Sequence, residues 1–221
     1  MKKIVFFSSL IIVISISLFL FYNPHIYRKI QFKNEPPKIG LLPFEDFSEK
    51  DIEVVKTELA KRYGFDIAIL PQFKLPAMAY TTIKKPRYRA DSLLNWLETV
   101  LPDSLDALIG LTNRDISFTK YQEDSKTIKD PEWMYKDFGI FGLGRVGGTV
   151  AVVSSNRLRA NVSKEKFHLR LARITSHELG HVLGLRHCPT KECLMNDANE
   201  SIKTIDQSTG ELCEDCKSKI N

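Results

Sequence analysis

Between residues 38 and 44 the chain reads KIGLLPF, a short apolar run of the kind that forms a strand covered on both faces. Behind Ser48, with Asp51 three residues on, the spacing changes: Ile52, Val55 and Leu59 recur at helical intervals, and Gly64 supplies a stop. Residues 65–70 return to a compact apolar run. Strand, helix and strand then form one βαβ unit, whose crossover makes the two strands parallel. A second helix is predicted behind Asp91, read as its cap. Its Leu93, Leu94, Trp96, Leu97, Val100 and Leu101 share a face, and Pro102 stands just past the end. Residues 106–112 give a third strand and residues 138–143 and 149–154 two more. Ser163 is the predicted cap of a long helix that ends at Gly184. This order of elements predicts an α/β sandwich with the long helix beneath the sheet. Residues 113–137 are charged, end near Trp133 and Tyr135, and are read as a long solvated loop rather than a specificity element.

Ahead of this pattern, residues 4–22 form a run of nineteen without a charge, preceded by Lys2 and Lys3. At about 1.5 Å per residue it is long enough to cross a bilayer core. It exceeds the apolar part of a cleavable signal, and it closes on Phe19, Leu20, Phe21 and Tyr22 rather than on small residues. Residues 1–30 therefore read as an uncleaved signal anchor, residues 31–37 with Pro36 and Pro37 as a linker, and residues 38–217 as one domain. No cysteine lies near the run, which excludes a lipid-modified anchor there. Lys2 and Lys3 on one side balance Arg28, Lys29 and Lys33 on the other, so charge does not fix the orientation. An amino-terminal export signal places the domain outside the cytoplasm, and the expectation is a single-pass membrane protein. The anchor also explains the net charge of +5: without the first thirty residues, 28 basic residues face 27 acidic ones. A nucleic-acid partner gains no support from so even a balance.

The long helix carries the chemistry. His177 and His181 are four apart, so their rings leave one face about a turn from each other, within reach of one metal. Glu178 can reach a water on that metal rather than the metal itself, as a general base must. Gly184, without a Cβ, can turn the chain left-handed and bring back His187 as the third ligand. Three neutral imidazoles leave a tetrahedral zinc one open position, where water has its pKa lowered to about 7. Glu178 would take the proton as that water attacks a peptide carbonyl and return it to the leaving amine. The plainer alternative is a chance HExxH on a buried helix, its histidines satisfied by backbone carbonyls. Gly184, His187 and the following Met195 count against it.

Cys188, Cys193, Cys213 and Cys216 all lie after the third histidine, and the last two form a CxxC pair suited to clasping one metal. Two disulfides are the other possibility in an exported chain. The whole string, HExxHxxGxxHCx4CxMx17CxxC, resembles the archaemetzincin family of zinc peptidases at every fixed position. RADSLLNWL, LIGLTNRDI and VAVVSSNRLR are similar to family segments more loosely. The resemblance implies a metzincin-like three-layer sandwich with a mixed, mostly parallel twisted sheet, and peptide or protein substrates. It also implies two zinc ions, one catalytic on His177, His181 and His187 and one structural on the four cysteines of a carboxy-terminal subdomain. Met195 would lie in a turn beneath the histidines. By the same analogy residues 139–143 form an edge strand at the cleft's upper rim, to which substrate adds as a strand.

Other signals are weaker. Gly142, Gly144 and Gly147 fit GxGxxG, but the valine-rich strand that follows excludes a dinucleotide site, which requires a helix there. Asn161 and Asn199 begin glycosylation sequons. His168, nine residues before His177, faces the opposite side of the helix and reads as a surface histidine. Tyr80, Tyr121 and Tyr135 are candidate oxyanion donors. The competing function is a zinc-stabilised binding protein that hydrolyses little, against which Glu178 is the main argument.

Overall fold

The computed structural model describes residues 35–45, 47–197 and 201–220. The expected anchor lies outside them. Among the described residues, no helix is long and apolar enough to cross a membrane.

In chain order the elements are β1 (Lys38–Pro43), α1 (Glu49–Tyr63), β2 (Asp66–Ile69), β3 (Tyr80–Thr81), β4 (Arg87–Arg89), α2 (Ala90–Val100), β5 (Ala107–Thr112) and β6 (Ile116–Phe118). They continue as α3 (Glu132–Tyr135), β7 (Phe138–Ile140), β8 (Gly142–Gly144), β9 (Val150–Ser154), α4 (Lys164–Val182), α5 (Ile202–Gln207) and α6 (Glu214–Lys217). The main sheet runs β2-β1-β5-β9-β8, parallel except for β8, which joins β9 antiparallel and forms the edge.

Strands β1, β5 and β9 are apolar almost throughout because both of their faces are covered. Ile39, Leu41, Ile109, Leu111, Ala151 and Val153 point to one side. They pack on Ile52, Val55 and Leu59 of α1 and Leu171, Ile174 and Leu179 of α4. Leu42, Leu108, Val150 and Val152 point to the other side, against Leu93, Leu94 and Leu97 of α2. Three layers result, and two separate apolar clusters clamp the sheet between them. Each fully buried leucine or isoleucine contributes roughly 1.5–3 kcal/mol of transfer free energy.

Several local expectations are corrected. Ser48 stands at the start of α1 but makes no side-chain cap. Asp51, expected to help there, is buried and instead binds Arg159 at 2.5 Å and His168 at 2.9 Å, tying α1 to α4. His168 is consequently a half-buried contact between helices rather than a free surface residue. The helix α2 starts at Ala90, one residue before its expected cap, because Asp91 is drawn to the Arg89 guanidinium at 3.0 Å. The run at residues 138–143 is two strands. Phe138–Ile140 pairs with β6 in a second sheet, ordered β3-β4-β6-β7, and Gly142–Gly144 crosses to the main sheet. Residues 113–137 are likewise not one loop, since they contain β6, α3 and a bridge between Tyr121 and Ile128.

Candidate active site

Ser163 caps α4, its hydroxyl accepting from the Lys166 N–H at 3.3 Å. The apolar face of the helix is held on the sheet, so His177 and His181 are presented on the side that faces β8 and the loop after the helix. Gly184 takes φ 97°, a left-handed conformation open to glycine, and the chain reverses while its N–H bonds the His181 carbonyl at 2.9 Å. The reversal brings up two acceptors. Leu185 O lies 2.8 Å from His181 Nδ1, and Leu194 O lies 2.7 Å from His177 Nδ1. With each Nδ1–H donating to a carbonyl, each Nε2 keeps its lone pair free for a metal. His187 follows the turn, its Nδ1 3.5 Å from Asp197 Oδ2. The potential ligand atoms of the three imidazoles lie within 4.8 Å of one another, and no fourth side chain among the described residues joins them. Burial holds His177 down to about 3, aided by neighbouring His181, and lowers His181 as well. Both rings are thus neutral at physiological pH, the form that ligates zinc.

Glu178 is buried between α4 and β8. Burial pushes its carboxyl up to about 8, and the N–H of Gly144, bonded to it, works in the opposite direction. The strand passes so close that a Cβ on Gly142 would fall 2.6 Å from Glu178 Cγ and 2.7 Å from its Oε1. A Cβ on Gly144 would fall 2.5 Å from the Glu178 carbonyl oxygen. Only glycine backbone fits between the sheet edge and this helix.

Met195 is fully buried against α4. Its Sδ occupies the space over Gly180, where a Cβ would stand 2.4 Å from the sulfur. It is a packing residue, and its carbonyl accepts the Cys188 N–H at 2.8 Å.

All four cysteines are free thiols. Cys188 and Cys213 have their sulfurs 3.8 Å apart and Cys193 and Cys216 3.9 Å, and all four sulfurs lie within 4.8 Å of one another. A disulfide needs about 2.05 Å, so the disulfide alternative is set aside. Four thiolates about 2.3 Å from a tetrahedral zinc stand about 3.8 Å apart, which these spacings fit. The Cys216 N–H, followed by the neighbouring thiols, draws Cys213 down to about 7. The two clusters are adjacent in covalent structure: Cys188 follows His187, and Cys193 precedes the Leu194 whose carbonyl orients His177.

A cleft opens along α4 under β7 and β8, walled by Phe138, Ile140, Leu143, Ile174, Leu194 and Ile205, with the histidines and Glu178 in its floor. None of the three tyrosines named as oxyanion donors lines it. Tyr80 packs on Tyr88 in the second sheet, Tyr121 is exposed at its bridge with Ile128, and Tyr135 stacks on Phe138. The cleft does include Lys120, Arg173, Asn196 and Asp197, which sequence reasoning passed over. Arg173 carried a usable signal, since it stands four residues before His177 and hence on the same side of the helix.

Comparison with known proteins gives a consistent picture. The model of peptidase family M54 matches residues 61–221. An archaemetzincin of Archaeoglobus fulgidus is 27% identical over 169 residues, covering 76% of this chain and 90% of its own. The crystal structure of archaemetzincin from that organism, complexed with malonate, is similar with a TM-score of 0.65 and 28% identity, covering 83% of this chain and 99% of its own. That of Methanopyrus kandleri archaemetzincin is similar with a TM-score of 0.66 and 25% identity, covering 86% and 96%.

Proposed function

Because the chain belongs to peptidase family M54, the archaemetzincins, and is a zinc metallopeptidase, we propose that His177, His181 and His187 hold the catalytic zinc and that Glu178 is the general base. The observation that carries this reading is the convergence of three imidazoles, each Nε2 of the helical pair freed by a carbonyl on Nδ1, beside a buried carboxyl that does not join them. Zinc, when bound, supplies an electrophile for the carbonyl and acidifies water. The chain supplies the rest. Glu178, which a zinc cation alongside would keep ionised against the effect of burial, accepts the proton of the attacking water and hands it to the departing amine nitrogen, and Gly144 N–H holds the carboxyl in place meanwhile. Strand β8 is the edge of the main sheet with only β9 beside it, and a substrate segment adds to its other side as an extra strand.

Cys188, Cys193, Cys213 and Cys216 are the ligands of a second, structural zinc in this reading, supported by sulfur spacings that fit a tetrahedral thiolate site. Residues 4–22 anchor the chain in a membrane by one pass, with the peptidase domain on the side away from the cytoplasm. That part rests on their length and lack of charge.

The test is elemental analysis of the full chain together with Glu178→Gln. Two zinc ions in both proteins, and cleavage of a mixed peptide library by the wild type alone, is the expected result. Two zinc ions with no cleavage by either would transfer the assignment to a zinc-stabilised binding protein. Protease accessibility of intact cells tests the anchor and its orientation.

A further inference from the structure

One cationic side chain in the cleft has no acidic partner. Arg173 lies one turn, about 6 Å along the helix axis, before His177 and lines the same cleft. Its Nη1 donates to the carbonyls of Ile205 at 3.0 Å and Asp206 at 3.1 Å, and its Nε is buried without a partner. The nearest carboxylate, Asp206, is already engaged by Arg170 through two contacts of 2.7 Å and by Lys166 at 3.0 Å. Among the described residues, no carboxylate stands within ion-pair distance of Arg173. Burial acts most strongly against its charge, Asp206 favours it from beyond ion-pair distance, and the neighbouring Arg62 acts against it. A guanidinium held partly out of water with donors to spare is a costly arrangement until an anion meets it. Around it Ile174, Leu194 and Ile205 form apolar walls that suit the methylenes of a side chain reaching that far.

The direction of the edge strand says which substrate residue arrives there. Gly142 lies over the Glu178 side chain and Gly144 over its carbonyl and His181 Cβ, while the Gly147 N–H bonds the His181 carbonyl at 2.9 Å. Strand β8 therefore runs with α4, from the Phe138 and Arg173 end toward His181. A peptide pairing antiparallel, the stronger ladder, runs the opposite way. Its residues before the bond to be cut lie toward His181, and the residue after it lies over Arg173. We propose that Arg173 makes this cleft select a carboxylate immediately beyond the scissile bond, carried by an aspartate or glutamate side chain or by the free carboxy terminus of the peptide. This rests on the peptidase reading above and names its substrate class.

The test has a hydrolytic arm and a binding arm. In the first, the full zinc-loaded chain digests a mixed library with acetylated amino termini and amidated carboxy termini, and the cut sites are read by mass spectrometry. Asp and Glu should exceed Asn and Gln after the cut by about 10- to 100-fold, the range for a charge-assisted hydrogen bond in a partly dry site. Arg173→Met should abolish this excess while neutral sites are still cut, and Arg173→Lys should retain part of it. Repeating the digest with free carboxy termini separates the two carboxylate sources: enrichment of cuts one residue from the end assigns the terminus. In the second arm, zinc-loaded Glu178→Gln is titrated by NMR with acetylated, amidated pentaalanine carrying Glu or Gln at its centre, so that turnover is not needed. Tighter binding of the Glu peptide, lost in Glu178→Gln/Arg173→Met, supports the inference. No carboxylate preference in either arm, or a preference that survives Arg173→Met in protein with unchanged zinc content and melting temperature, overturns it. If nothing is cut but the Glu peptide still binds through Arg173, hydrolysis is what fails, and the carboxylate site stands.

Discussion

Replacing Gly142 by alanine adds one methyl group at the place where the sheet edge meets Glu178, the general base of the proposed mechanism. That methyl would sit 2.6 Å from Glu178 Cγ, 2.7 Å from Oε1 and 2.9 Å from Cδ. Carbon contacts settle at about 3.5–4.0 Å, so about 1 Å of displacement is required. The helix backbone cannot supply it, because α4 is fixed on the sheet by Leu171, Ile174 and Leu179. The Glu178 side chain must swing away instead, and misplacing a reacting group by about 1 Å costs on the order of 100-fold in rate. Gly142→Ala should therefore lower kcat about 100-fold with KM and zinc content nearly unchanged, since the three atoms nearest its Cβ all belong to Glu178 and none to a histidine. The assay is steady-state cleavage of one fluorogenic peptide, with elemental analysis and thermal melting on the same preparation. Gly144→Ala makes the contrast. Its methyl would meet the Glu178 backbone oxygen at 2.5 Å, which cannot rotate aside, so β8 must lift from β9 and the melting temperature should fall as well. Wild-type kcat in a folded, zinc-loaded Gly142→Ala protein would refute the argument that the glycine is there for the glutamate.

Cys193→Ser should reduce zinc at the histidines as well as at the thiols, because Leu194, the next residue, orients His177 through its carbonyl. Loss of such outer support costs roughly 10- to 100-fold in metal affinity, and competition with a chromogenic chelator would measure it. Gly180→Ala drives a methyl to 2.4 Å from the buried Met195 sulfur and should destabilise by about 1–3 kcal/mol, read by urea unfolding. Gly180→Ala/Met195→Ala, which vacates the space, should recover part of that loss. Arg170 holds the Asp206 carboxyl down to about 2 in the folded chain, against 3.8 ordinarily. The carboxyl is depressed by folding, so its stabilisation is complete above about pH 4 and is lost as pH falls toward 2. Discounted for partial exposure, Asp206→Asn should cost about 1 kcal/mol near pH 7 and approach the wild type near pH 2. Acid titrations of unfolding that stay equally far apart at both ends would rule out that pairing.

How legible the chain was depended on how many residues carried each signal. Helix α1 could be read from Ile52, Val55 and Leu59 because three spaced side chains and a glycine stop agree, and β1, β5 and β9 because covering both faces leaves an unbroken apolar run. The convergence of the histidines was legible because helical geometry fixes residues four apart. The second sheet was not, since Tyr80–Thr81 and Arg87–Arg89 are too short to show a period. The crossing from β7 to β8 at Phe141 was hidden for a related reason: an extended chain that changes sheets keeps its extended pattern. Asp51 looked like a capping residue because local sequence suggests local partners, yet Arg159 and His168 more than a hundred positions away claim it. Arg173 belongs to the same class, as its role depends on where α5 and the edge strand happen to lie.

The loop from His187 to Met195 joins two side-chain clusters, three imidazoles and four thiols, that respond to different chemistry. Imidazoles are indifferent to mild oxidants, whereas thiolates are not. If the sulfurs hold zinc as proposed, peroxide or a disulfide reagent that ejects it would loosen Cys188 and Cys193 together. The support beneath His187 and His177 would go with them. A hydrolase whose own reaction transfers no electrons would thereby inherit a redox vulnerability from its scaffold.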